Sequence, residues 1–116
     1  MPQAPRIELH SVSQRVQVHV DGKLLADSSQ ALELRERDYP PRHYFPREDV
    51  RMDLLTTSDT TTHCPFKGST VYFSLGDKKD IVWSYEQPIE GMEAIADRVA
   101  FGGEGVQLGM LNEESS

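Results

Sequence analysis

The chain has 116 residues, 12 Lys and Arg against 19 Asp and Glu for a formal net charge of −7, 37% apolar residues and one cysteine, which is enough for one hydrophobic core and too little for two. A sequence pI near 5.0 argues against a partner held by phosphate neutralisation, which needs clustered Lys and Arg, so nucleic acid is set aside. No apolar run approaches the roughly 18 to 20 residues that cross a bilayer, and the stretch from Met1 to His10 lacks a basic region and an apolar segment, so the chain reads as a soluble, cytoplasmic protein without a membrane partner.

Charge is unevenly placed. Residues 1–40 carry five basic and six acidic side chains, residues 41–80 six and six, and residues 81–116 one and seven. The middle third is locally neutral and holds half of the cations, so an anionic small molecule still finds a positive spot there.

The first hydrophobic period is two. Val16, Val18 and Val20 alternate with Gln17 and His19, Asp21-Gly22 supplies a turn that needs positive φ, and Lys23 to Asp27 returns, which predicts a β-hairpin. Leu32 and Leu34 alternate with Glu33 and Arg35 in a third strand that stops at Pro40-Pro41. The stretch from His43 to Asp49 is turn-like, and Val50, Met52 and Leu54 alternate with Arg51 and Asp53, which predicts a strand with the charged pair facing outward. Thr56 to Thr62 fits a strand or a surface loop equally well. Cys64 to Gly68 has the punctuation of a tight turn. Val71, Phe73 and Leu75 then form a strand that hairpins at Gly76 to Lys79 into Ile81–Tyr85. Pro88 ends that strand, and residues 90–98 are the one helix candidate, with Ile89, Met92, Ile95 and Ala96 at helical spacing. Val99 to Phe101 is extended, Gly102 to Gly105 turns, Val106 to Leu108 closes the sheet, and residues 112–116 are expected to fray. The expectation is therefore a mainly-β single domain over residues 1–116, an antiparallel sandwich or partly open barrel of seven or eight short strands.

Chemistry-bearing side chains concentrate between Tyr39 and Tyr85. Arg47, between Pro46 and the acids Glu48 and Asp49, offers a planar fork for a carboxylate or phosphate, or simply pairs with those acids. Lys67 in a Pro-x-Lys-Gly turn suits an anion clamp or a nucleophile; a solvated turn lysine is the plainer reading. Cys64 beside His63 invites a thiol–imidazole pair, but neighbours on a strand point to opposite faces, which favours an inert, buried thiol. Trp83 and Tyr85, two apart, share a face that suits either a planar ligand or a core. Tyr44 joins this group. His10, His19, His43 and His63 form no i, i+4 or H-x-H pattern and Cys64 has no partner cysteine, so no metal site, disulfide or cofactor is expected. The G-x-x-x-x-G-K-[ST], G-x-G-x-x-G and G-x-S-x-G templates are all missing.

The string Tyr39-Pro40-Pro41-Arg42-His43-Tyr44-Phe45-Pro46-Arg47-Glu48-Asp49-Val50, followed by Cys64-Pro65-Phe66-Lys67-Gly68, Trp83-Ser84-Tyr85 and Val99-Ala100-Phe101, resembles the DUF427 family of small, mainly-β proteins of unassigned function. The likeness runs from about Arg15 to Phe101 and includes Ala26-Asp27-Ser28 and Glu36. It implies that the family motifs fall on Tyr44, Pro46, Arg47, Asp49, Cys64, Lys67, Gly68, Trp83, Tyr85 and Pro88. Phe66 stands where an aromatic hydroxyl is common, and Thr70 where a small Ala is frequent. One name applied to the family suggests a nucleotidyltransferase, whose Gly-Ser turn on a helix and D-x-D carboxylate pair are not matched here: Gly68-Ser69 leads into a β-like segment, and Asp49 and Asp53 are spaced D-x-x-x-D.

These readings converge on a ligand-binding β-domain. Trp83 and Tyr85 floor its pocket, Arg47 and Lys67 hold a small anionic or polar molecule, Asp49 and Glu48 orient the cations, and Tyr44 and Cys64 complete the lining. The alternatives are an enzyme with Cys64 or Lys67 as nucleophile and Asp49 or Glu48 as acid/base, and a module that pairs through strand edges into a homodimer.

Overall fold

The computed structural model describes residues 7–65, 67–103 and 105–111. Within them run ten strands: β1 (Ile7–Ser11), β2 (Arg15–Val20), β3 (Lys23–Ser28), β4 (Leu32–Glu36), β5 (Arg42–Tyr44), β6 (Thr56–Cys64), β7 (Gly68–Leu75), β8 (Lys78–Pro88), β9 (Val99–Phe101) and β10 (Val106–Leu111). They form three antiparallel sheets ordered β1-β4-β5, β10-β2-β3 and β6-β7-β8-β9, and among the described residues none closes into a barrel. The domain is mainly β, as the alternation predicts.

The β2–β3 hairpin turns at Asp21 and Gly22, with φ of 51° and 87°, the backbone region that Gly enters freely and Asp tolerates. Val16, Val18 and Val20 are fully buried and meet Leu25, Phe45, Val82 and Val99 in the main core. A second cluster packs Leu34, Tyr44, Tyr85, Met92, Ile95 and Ala100. The two sheets that flank it are joined at Phe45 and Val99, whose backbone groups exchange hydrogen bonds of 2.8 and 2.9 Å.

Local pattern and structure part in three places, and the structure decides a fourth that the pattern left open. Residues 42–44 form β5 against β4 rather than a turn, because Leu32–Leu34 offers an open edge whose ladder the three residues complete. Val50 to Leu54 is not a strand: Arg47–Asp49 and Met52–Leu54 are short 3-10 turns, and only Val50 makes a bridge, to Ala26. Arg51 and Asp53 do face outward, where they pair with each other at 3.0 Å. The Thr-rich segment becomes the long strand β6, mostly exposed.

The expected helix at residues 90–98 shrinks to a 3-10 turn, Glu93–Ile95. Its ends are held otherwise: Ile89 N–H donates to Lys67 O, Asp97 N–H to Tyr85 O, and Gly91 and Asp97 have φ of 95° and 62°. The apolar residues still serve as expected in one respect, since Met92 and Ile95 are buried. Phe66, Glu104 in the glycine turn and the terminal stretch 112–116 lie outside the described residues. No helix of the described residues is long and apolar enough to cross a membrane.

Candidate functional site

Alternation along three strands assembles one aromatic cleft at the seam of the β1-β4-β5 and β6-β7-β8-β9 sheets. Leu34 and Glu36 on β4, Arg42 and Tyr44 on β5, and Trp83 and Tyr85 on β8 share its walls with Tyr39, Tyr72, Cys64 and Lys67, enclosing about 380 Å³. Side chains two apart on a strand face the same way, so each strand contributes a pair. Lys67 enters from the turn before β7, where its N–H donates to Cys64 O at 3.1 Å. Gly68 makes that entry feasible: its φ is 121°, and a Cβ there would stand 3.0 Å from both Gln87 O and Pro88 Cα.

The polar groups of the cleft are few and specifically placed. Lys67 Nζ donates to Glu36 Oε1 at 2.6 Å, with both side chains about nine-tenths buried, and lies 5.9 Å from the centre of the Tyr85 ring. Burial is the largest single influence on Lys67 and works against its charge, but the Glu36 hydrogen bond together with the electrostatic pull of Tyr85, Cys64 and Glu36 outweighs it and holds the ammonium above its ordinary pKa. Trp83 Nε1–H donates to the Tyr44 hydroxyl at 3.2 Å. Burial pushes the Tyr44 phenol well above its usual range, and raises Tyr85 as well, partly offset there by the Thr70 hydroxyl. Tyr44 is thus a neutral phenol that already accepts from the indole, while its own proton has no acceptor among the described residues. Arg42 stacks its guanidinium 5.3 Å from the centre of the Trp83 ring and, among the described residues, has no carboxylate within 4 Å. A guanidinium over an indole face, with no carboxylate within ion-pair distance, can accept an anion, although the Asp80 carboxylate also borders the cleft.

Five of the eight residues singled out from sequence line this cleft: Tyr44, Cys64, Lys67, Trp83 and Tyr85. Arg47, Glu48 and Asp49 do not. Arg47 lies on the opposite face of β8, where it donates to Asp97 O at 2.8 Å, Ser84 Oγ at 3.1 Å and Glu86 Oε2 at 2.8 Å. That guanidinium is spent on clamping β8 to the segment before β9. Glu48 and Asp49 border a separate, shallow depression with Arg15, Asp27 and Ser28. The acids that orient the cations are therefore Glu36 for Lys67 and Glu86 for Arg47. His63 and Cys64 diverge as the strand rule requires, with His63 Nδ1 3.2 Å from Ser69 Oγ.

Arg42, like Glu36, is a cleft residue that sequence reasoning passed over. Its signal is its i, i+2 relation to Tyr44, which becomes visible only once residues 42–44 are known to be extended. No group of three or more His, Cys, Asp or Glu among the described residues is arranged to hold a metal ion.

The molecule is thus a small antiparallel β domain with an aromatic, partly cationic cleft where two of its sheets meet. A family model described as "Domain of unknown function (DUF427)" matches residues 8–111, and the chain belongs to that family. No curated protein matches it.

Proposed function

We propose that the protein binds a small anionic molecule with a flat body in the cleft between Trp83, Tyr44 and Tyr85. The observation that carries this reading is Arg42, stacked on Trp83 without a carboxylate partner among the described residues, whereas Arg47 lies outside the cleft and is already paired with Glu86 and bonded to Ser84 and Asp97. The Tyr44 hydroxyl adds a donor at the floor, and the Lys67–Glu36 pair adds a fixed donor and acceptor on the wall. Aromatic walls with a few convergent polar groups are the usual form of a small-molecule site. Binding is favoured over nucleophilic catalysis because Lys67 is held protonated, and Glu48 and Asp49 lie away from Cys64. The lone, unpaired thiol suits a reducing cytoplasmic setting.

The test uses Trp83, the one tryptophan of the chain, as its own reporter. Benzoate and phenyl phosphate are titrated into the protein while Trp83 emission and the melting temperature are followed. Saturable quenching with a rise in melting temperature is expected, and Arg42→Ala should abolish both. Absence of any response in the wild type, or an unchanged response in Arg42→Ala, overturns the reading.

A further inference from the structure

β5 has a second face. Arg42 and Tyr44 line the aromatic cleft, and His43 between them projects to the other side, into a neighbouring hollow of about 360 Å³ lined by Glu33, His43, Phe45, Phe101, Val106 and Leu108 among others, which the long Arg42 side chain borders as well. The His43 side chain is 9% exposed, and its Nε2 has no hydrogen-bond partner among the described residues. Glu33 Oε2 stands 4.0 Å away, too far for a direct bond. The other oxygen of that carboxylate, Oε1, is already occupied by Arg35 Nε at 2.8 Å. Buried nitrogen atoms left unpaired are rare and ask for an explanation. One oxygen atom placed about 2.8 Å from both Nε2 and Oε2 would subtend them at about 90°, which suits the donor and lone-pair directions of a hydroxyl.

We propose that this hollow is a second ligand site, for a small neutral alcohol or phenol whose hydroxyl accepts from His43 Nε2–H and donates to Glu33 Oε2. The Glu33 carboxylate and the Arg42 guanidinium, which borders this hollow as well as the cleft, offset one another, so the hollow as a whole favours a neutral ligand over an ion. Burial keeps His43 neutral, with its pKa below the ordinary imidazole value despite the pull of Glu33, so a neutral hydroxyl matches both walls. Phe101, Val106 and Leu108 supply apolar surface for the body of the ligand, and Leu108 remains 43% exposed at the lip.

Phenol and anisole separate a site that reads the hydroxyl from a hollow that merely holds water or takes up any apolar ring. In an NMR titration of the full chain, phenol should shift the His43 imidazole and the Gly102, Gly103 and Leu108 amides saturably, and anisole should bind about tenfold more weakly, the equivalent of one hydrogen bond. His43→Phe should lower phenol affinity to that of anisole. Should His43→Phe fail to fold, Glu33→Gln, which keeps the shape and removes the charge from the acceptor, should weaken phenol severalfold and leave anisole unchanged. No saturable shift with phenol, equal affinity for the two probes, or phenol affinity unaltered in the folded variants overturns the proposal.

Discussion

The guanidinium carbon of Arg42 lies 5.3 Å from the centre of the Trp83 ring, and Gly102 packs directly against that stack, so that a Cβ at position 102 would come 2.8 Å from Trp83 Cη2 and 3.0 Å from Arg42 Nη1. The contact ties β5, β8 and the turn after β9 together at the mouth of the cleft. It also shows what seats Arg42 at the cleft: the indole gives the guanidinium a flat surface, and the chain passes beside the stack at a residue without a side chain.

Gly102→Ala should therefore disturb the cleft through packing alone. The new methyl meets a rigid ring, and overpacking of this kind costs about 1–3 kcal/mol. Urea unfolding should show that loss, together with a shift of the Trp83 emission maximum in the folded state. An unchanged emission spectrum would show that the ring had not moved.

The two arginines should separate by role. Arg47→Ala removes donors to Asp97 O, Ser84 Oγ and Glu86 and should destabilise the fold by about 1–3 kcal/mol. Arg42→Ala removes only a stacked, exposed cation and should stay within about 0.5 kcal/mol of wild type. Chemical denaturation of both variants under one buffer decides this without reference to any ligand.

Glu36 and Lys67 should behave as a buried pair. Glu36→Leu leaves the Lys67 ammonium without its carboxylate partner and should cost about 3–5 kcal/mol, whereas the double variant Glu36→Leu with Lys67→Met should recover much of that loss. Because the folded pKa of Lys67 is raised, its contribution is fully present below the unfolded value of 10.5 and declines only as pH rises through the higher folded value. A double-mutant cycle at pH 7 and at pH 11 measures both effects.

Acid stability should show two limbs. His43 is held below its unfolded value of 6.5 by burial, so below that pH the unfolded chain binds a proton that the folded one resists, and stability falls as pH drops. His43→Phe should flatten this limb. Asp27, drawn down to about 2 first by the Arg15 hydrogen bond and also by Gln17, contributes stability above its unfolded value of 3.8 that disappears as pH falls toward 2. Asp27→Asn should thus be less stable than wild type at pH 6 and converge on it near pH 2. Urea midpoints across that range report both.

Nearest-neighbour patterns carry their information over a few residues, and the elements legible from the chain alone are those that need no more. Alternating Val16, Val18 and Val20 before Asp21-Gly22 specify a hairpin, and the i, i+2 placement of Trp83 and Tyr85 specifies a shared aromatic face. The mainly-β class, the buried valines and the membership of Tyr44, Cys64 and Lys67 in one aromatic neighbourhood follow from the same short-range logic and the family motifs.

What the chain alone could not decide depends on partners distant in sequence. Residues 90–98 have helical spacing, yet backbone bonds from Ile89 to Lys67 and from Asp97 to Tyr85, with positive φ at Gly91 and Asp97, break the segment into successive tight turns around the short 3-10 element Glu93–Ile95. Residues 42–44 are too few for alternation to reveal, and become a strand because β4 has a free edge to offer. That pairing sends Arg42 toward Trp83 and His43 away from it, while Arg47, three residues beyond Tyr44, is turned to the far side of β8 by Ser84 and Glu86. Which arginine faces the cleft is thus a matter of strand pairing and long-range hydrogen bonds, and neither can be counted along the chain.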